Sequence, residues 1–239
     1  MPRVAKWLGD AMEALIPSKM PLMEVVETNY ISPKIKRIRF QGNLSGMSFQ
    51  PGYAVLIRVN ETEFRNYTVV FNDVENGILE IIFYIHGQAP GSLFIDNLNV
   101  GDEIRISAPR GKKQYEPTIK QHLIFGDETS LGLACSFLPY LKKNQHQFQF
   151  YFELDESNFN VPQLLGLENY SVFSKNDIFI NRQLINDLPI FNSPDWNTSH
   201  FVLTGNATSV QNFRHVLKSN SVKGRIFTKG YWLKGKAGL

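Results

Sequence analysis

Between residues 20 and 112 the apolar positions repeat every second residue. In 53–59, Tyr53, Val55, Ile57 and Val59 alternate with Ala54, Leu56 and Arg58; in 79–85, Leu79, Ile81, Phe83 and Ile85 share one face. A period of two, carried by β-branched and aromatic residues, marks strands with one buried side. It predicts strands over 22–31, 35–41, 53–59, 64–71, 78–86 and 103–107, several of them separated by turn pairs such as Gly42-Asn43, Asn76-Gly77, Pro90-Gly91 and Gly101-Asp102. Six short strands at this spacing predict a closed antiparallel six-stranded β-barrel.

From about residue 118 the period changes. His122–Phe125 is a short apolar run, after which Leu131, Ala134, Cys135, Leu138 and Leu141 recur at helical spacing. Further strands are predicted at 148–154, 170–174, 201–204 and 225–228, with helices near 182–188 and 207–219. Alternating strands and helices predict a parallel-sheet α/β domain. Pro139 is expected to kink or end the helix that contains it, and Cys135 to pack in the core. Residues 3–16 read as an amphipathic helix through Val4, Trp7, Leu8, Met12 and Leu15, closed by Pro17. The expected organisation is therefore a terminal helix within 1–19, a barrel over 20–115 and an α/β domain over 118–239. The cleft between two such domains is a natural place for a cofactor.

Composition narrows the class. Of 239 residues 43% are apolar and 13% aromatic, which excludes a disordered chain. The single cysteine excludes an internal disulfide and a Cys-rich metal site, and the five histidines show no metal-ligand spacing. No run reaches 18 apolar residues and the N-terminus lacks a secretory pattern, so a protein of the cytoplasm without a membrane span is expected. From Trp196 onward there is no Asp or Glu but there are seven cations: Arg214, Lys218, Lys223, Arg225, Lys229, Lys234 and Lys236. Such a stretch is either a solvated face or a pocket for an anion. Nucleic acid is not expected, because the chain as a whole carries only +3 and shows no recognition-helix pattern.

Two stretches carry candidate chemistry. Arg65-Asn66-Tyr67-Thr68 lies on a predicted strand: a guanidinium suits a diphosphate, an aromatic ring a flat heterocycle, a hydroxyl a ring nitrogen or carbonyl. His86-Gly87-Gln88-Ala89-Pro90-Gly91-Ser92 comes after the next strand and opens a short helix that Ser92 is expected to cap, where free N–H groups suit phosphate oxygens. An ordinary barrel strand and a surface turn remain the plain alternatives.

The order R-N-Y-T, H-G-Q-A-P-G-S and G-D-E-I-R-I-S-A-P-R-G resembles the ferredoxin-reductase-like FAD domain. The continuation, Gly126-Asp127-Glu128-Thr129-Ser130-Leu131 and then Gly230-Tyr231-Trp232-Leu233-Lys234-Gly235, resembles the siderophore-interacting proteins, FAD-containing ferric-siderophore reductases. The resemblance spans about residues 20–236. It implies FAD held at the diphosphate by Arg65, with Asn66 beside it; Tyr67 and Thr68 at the flavin; and His86, Gly87, Gly91 and Ser92 in the diphosphate loop. It also implies Asp127, Glu128 and Thr129 facing the flavin, and Tyr231 and Trp232 close to it. The chain departs from the family pattern at Val70, where an Arg is usual, at Ala89-Pro90-Gly91, where Gly-Pro-Ala is, and at Phe94, where a Trp stands nearby.

The resemblance thus implies a flavin-dependent reductase of iron held in siderophore chelates, with no catalytic side chain of its own and no protein-bound metal. NADH, NADPH or ferredoxin is the expected donor. Two carboxylates in the turn after the first α/β strand suit a helix start but oppose a bound diphosphate, which disfavours ordinary nucleotide binding there. The siderophore is expected to be anionic, with Lys223, Arg225, Lys229 and Lys234 as candidate contacts, and the protein to be a monomer. The alternatives are a general NAD(P)H–flavin oxidoreductase with another acceptor, and a flavin-free chelate-binding module.

Overall fold

The computed structural model describes residues 5–7, 10 and 20–236. Most of the expected helix over 3–16 lies outside these residues. The chain divides into two compact units, Met1–Lys113 and Gln114–Leu239.

The first unit is a sheet of six antiparallel strands: β1 (Leu22–Ser32), β2 (Ile35–Gly42), β3 (Ala54–Arg58), β4 (Phe64–Asp73), β5 (Ile78–Tyr84) and β6 (Glu103–Arg105), in the order β3-β4-β5-β2-β1-β6. The alternation seen in the sequence becomes the barrel interior. Val25, Ile38, Val55, Ile57 and Ile81 are wholly buried in one apolar cluster. The two edge strands meet through bridges Ile57↔Ile106 and Ala54↔Arg110 and a Ser107 N–H to Leu56 carbonyl bond of 3.0 Å, which nearly closes the barrel. One seven-residue helix, α1 (Pro90–Asp96), comes after β5.

Lys36, on β2, anchors that helix. Its ammonium donates to the carbonyls of Ile95, Asp96 and Leu98 at 3.0, 2.9 and 2.8 Å, so that all three of its protons meet an acceptor. A cation at a helix C-terminus also suits the helix dipole. Burial lowers the Lys36 pKa from its ordinary value.

The second unit is a five-stranded parallel sheet: β7 (Gln121–Gly126), β8 (Gln147–Leu154), β9 (Tyr170–Ser174), β10 (His200–Asn206) and β11 (Ile226–Trp232), ordered β11-β10-β7-β8-β9. Its helices are α2 (Leu131–Lys143), α3 (Val161–Leu164), α4 (Arg182–Asn186) and α5 (Ala207–Ser219). The strand order reverses between β7 and β10, the position where open α/β sheets form a crevice at their carboxyl ends.

On α2 two points differ from expectation: the helix does not end at Pro139, and Cys135 is not in the core. The helix runs through Pro139 to Lys143, held by the buried Leu133, Ala134, Phe137 and Leu141. Pro139 itself is exposed, so packing on the opposite face outweighs one missing N–H. Cys135 is only half-buried, at the margin of the apolar face. No helix among the described residues is long and apolar enough to cross a membrane.

Candidate flavin site and the carboxyl edge of the parallel sheet

In the first unit, the register of β3 and β4 pairs Val55 with Tyr67 and Ile57 with Arg65. Residues directly opposite in an antiparallel pair share a face, so Arg65 and Tyr67 lie on the side of the core residues, while Asn66 and Thr68 take the other side with Leu56 and Ala54. The Tyr67 ring packs edge-on to Phe83, with centroids 4.7 Å apart. Burial pushes the Tyr67 phenol above its ordinary pKa and keeps it neutral. Beyond Thr68 the register shifts between Val69 and Phe71, so Val70 stands at a bulge where β4 passes from β3 to β5.

The loop after β5 folds onto these side chains. A methyl group at Gly91 would stand 2.9 Å from the Tyr67 hydroxyl and 3.2 Å from Arg65 Cγ. Only a residue without Cβ lets the helix come this close. The helix is not capped as expected. Ala89 is the N-cap and supplies no side-chain bond, while the Ser92 hydroxyl, two residues into the helix, accepts the His86 N–H at 3.0 Å. That bond closes the loop into a ring. Gly87 takes a left-handed φ of 56°, and the exposed His86 ring stacks on Tyr84 at 5.1 Å.

The Arg65 guanidinium is oriented by Glu63, 2.8 Å from Nη2, and by the Phe64 carbonyl, 3.0 Å from Nη1. Two of its five N–H groups are thereby used among the described residues, and the others are left for an anion. The Gly91 and Ser92 N–H groups in the first helical turn have no backbone or side-chain acceptor among the described residues. A half-used guanidinium, unpaired amides and a glycine seated against both Arg65 and Tyr67 form a cradle fitted to a diphosphate beside an aromatic ring.

In the second unit, the Gly126-Asp127-Glu128-Thr129 turn lies at the carboxyl end of β7. Asp127 is 1% exposed and Glu128 2%. Asp127 accepts the Thr129 N–H at 2.9 Å and the Thr129 hydroxyl, capping the turn, and its other oxygen accepts the Trp232 indole N–H at 2.6 Å. Glu128 accepts the Asp155 N–H at 2.8 Å and the Asn158 amide at 3.0 Å, and pairs with the Lys175 ammonium at 2.6 Å. Each carboxylate has partners within its own unit.

A third acid carries no signal in the sequence. Glu153, at the carboxyl end of β8, is 3% exposed and accepts the Ser209 hydroxyl at 2.9 Å. Burial, reinforced by Asp127 and Glu128, pushes its pKa up to about 8. Its alternation on a strand looks like any outward Glu, and only its position in the sheet reveals it. Lys36 escapes sequence reasoning for the same reason.

The four C-terminal cations are not brought together. Lys223 and Arg225 precede β11, at the amino end of the sheet, whereas Lys229 is within it and Lys234 beyond it. Arg225 is paired with Glu116 at 3.0 Å, and Lys229 lies 5.5 Å from the centroid of Tyr231. Trp232 stands at the far end of the seven-residue strand that begins just after Arg225, roughly 20 Å away. His122 and His146 stack on Tyr115 and on each other, the latter at 4.9 Å, and His200 packs edge-on to His122. Burial pulls His122 down to about 4, so its ring is a neutral aromatic filler. Among the described residues no group of three or more His, Cys, Asp or Glu could hold a metal ion.

With this geometry in view, comparison with known proteins gives consistent findings. The family model of the oxidoreductase FAD-binding domain matches residues 22–115. The chain is similar to NADH-cytochrome b5 reductase 1 of Dictyostelium discoideum, 28% identical over 60 residues, and to that of Mycosarcoma maydis, 22% identical over 116 residues. The first match spans 25% of this chain and 21% of the relative, the second 46% and 35%. Among solved structures, a siderophore utilization protein from T. fusca superposes with a TM-score of 0.74 at 22% identity, covering 92% of this chain and 95% of that one. The siderophore-interacting protein SipS from Aeromonas hydrophila gives 0.70 at 18%, covering 90% and 98%. A ferredoxin-NADP+ reductase mutant from Plasmodium falciparum gives 0.68 at 15%, covering 90% and 97%. The fold is the ferredoxin-reductase-like fold, which the siderophore-interacting proteins share.

Proposed function

We propose that this chain is an FAD-dependent oxidoreductase that reduces ferric iron in siderophore chelates. The observation that carries the flavin part is the seat of Gly91 against Arg65 and Tyr67, inside the segment that matches an oxidoreductase FAD-binding domain. The siderophore part is supported by the likeness in fold to siderophore-interacting proteins over nearly the whole of both chains, and by the acid-free cationic C-terminal stretch.

Bound FAD would supply the chemistry, accepting two electrons from a donor and releasing them singly. The residues of this chain bind and orient. Arg65 holds the diphosphate bidentately, and the Gly91 and Ser92 amides add donors to the same anion. Gly87 and the His86–Ser92 bond keep the loop in shape, and Lys36 fixes the far end of α1. Tyr67, neutral and packed on Phe83, presents an aromatic surface, and Thr68 a hydroxyl. Trp232 is held by Asp127, and Tyr231 lies beside Lys229 at the end of β11. The substrate is iron(III) in hard anionic oxygen ligands; iron(II) suits them less well, so the chelate loosens on reduction. Lys229 and Lys234 attract the anionic chelate. The donor is NADH, NADPH or ferredoxin, and the reaction takes place in the cytoplasm.

The test is direct. The purified protein should bind FAD and turn yellow, be reduced anaerobically by one of these donors, and be reoxidised by ferric chelates faster than by quinones. A colourless protein that refuses FAD refutes the whole reading. A flavoprotein indifferent to ferric chelates supports the second reading, a pyridine-nucleotide reductase with another acceptor, which the cytochrome b5 reductase likeness favours.

A further inference from the structure

Among the cations of the acid-free C-terminal stretch that the proposed chemistry leaves unused are Arg214 and Lys218. Both lie on α5. Gln211, Arg214, His215 and Lys218 take the spacing i, i+3, i+4, i+7 and so form one helix face. That face lines a groove of about 240 Å³ completed by Arg182 of α4. Among the described residues no carboxylate lines the groove, and the side chains of Arg214 and Lys218 have no ion-pair or hydrogen-bond partner. All five lining residues are exposed.

The groove is also built. Arg182 Nε donates to the Asn212 side-chain oxygen at 3.2 Å, and the Asn212 amide donates to the Phe179 carbonyl at 3.1 Å. This relay holds one edge of the Arg182 guanidinium and leaves its two terminal nitrogens free to turn to a ligand. Asn220 on the C-terminal side of α5 bonds Asn186 on α4 at 2.8 Å, which ties the two helices together further along. Like charges collected on a fixed scaffold repel one another at a cost in stability, and an anion relieves that cost.

We propose that this groove is an anion site for a phosphate-bearing small molecule, separate from the flavin cradle. Two guanidiniums match the paired oxygens of a phosphate, and the Lys218 ammonium adds a point charge. The volume exceeds that of one phosphate, so a diphosphate or a phosphomonoester with a small organic body fits better than the free ion. The groove shares no residue with the flavin cradle, so binding here can be read apart from flavin.

Isothermal titration with inorganic phosphate, pyrophosphate and adenosine 5′-monophosphate tests this, at low ionic strength where surface charges act most strongly. The expected result is one saturable site that persists in Arg65→Ala, where the flavin cradle no longer holds a diphosphate, with pyrophosphate or the nucleotide tighter than phosphate. In R214Q/K218Q the affinity should fall about tenfold or more, as loss of two charge-assisted contacts implies. Arg65→Ala should leave this binding unchanged, which separates it from the flavin cradle whether or not the chain binds FAD. Because the substituted residues are exposed, the fold should survive, as circular dichroism would show. Absence of saturable binding overturns the proposal. So does binding that R214Q/K218Q leaves intact, or that Arg65→Ala abolishes.

Discussion

Gly91→Ala tests the architecture of the flavin cradle with a single methyl group. The backbone itself tolerates alanine, which in a helix is favoured over glycine by about 0.5–1 kcal/mol. The new methyl would lie 2.9 Å from the Tyr67 hydroxyl and 3.2 Å from Arg65 Cγ, where ordinary contact begins near 3.4 Å. The Tyr67 ring cannot retreat freely, because it is packed edge-on to Phe83. Such overpacking costs about 1–3 kcal/mol, leaving a net loss of about 0–2.5 kcal/mol once the helix gain is subtracted. For a chain of this size, at about 2–4 °C per kcal/mol, that lowers the melting temperature by up to roughly 10 °C. The effect on FAD is larger than on stability, since Arg65 and Tyr67 move together. A charge-assisted bond held off its geometry loses about 1.5–3 kcal/mol, or roughly 10- to 100-fold in affinity. Flavin-fluorescence titration gives the affinity, and thermal melting without FAD gives the stability. A variant that melts with the parent and binds FAD within a factor of two would show that the loop does not bear on these side chains.

Four further outcomes are expected. Arg65→Ala should abolish FAD binding with the circular dichroism spectrum unchanged, and retention of FAD at parental affinity would remove Arg65 from the diphosphate. Lys36→Met keeps the apolar stem but strips three carbonyls of their donor; chemical denaturation should show a loss of about 2–3 kcal/mol, and FAD binding should weaken as α1 loosens. Glu153 has a folded-state pKa raised to about 8 from an ordinary carboxyl value of 4.5, so the stability tied to its proton is complete below about pH 4.5 and is lost as pH climbs through 8. Glu153→Gln retains an acceptor for Ser209 without the charge, and should exceed the parent by on the order of 2 kcal/mol above pH 8, with the gap closing towards pH 5; urea midpoints that differ by the same amount at every pH would contradict this. Neutralising Lys229 and Lys234 to Gln should slow reduction of anionic chelates several-fold more than that of neutral hydroxamates in stopped-flow reoxidation, and equal effects would end the case for a cationic approach.

The chain's own pattern of apolar positions determined both units. Period two over Tyr53–Val59 and Leu79–Ile85 became the barrel interior, and the later alternation of strands and helices became the parallel sheet, because burial of one face is a local property that neighbouring residues record. The R-N-Y-T strand and the glycine loop were visible for the same reason: each is contiguous. Tertiary structure alone decided what these residues touch. Lys36 meets carbonyls some 60 residues away, Trp232 meets Asp127 across 105 residues, and Glu128 meets Lys175. It also decided that Pro139 leaves its helix unbroken and that Lys223 and Arg225 stand at the opposite end of the sheet from Trp232. A side chain's partner depends on which distant strands the fold lays side by side, and that information is spread over the whole chain rather than written next to the residue.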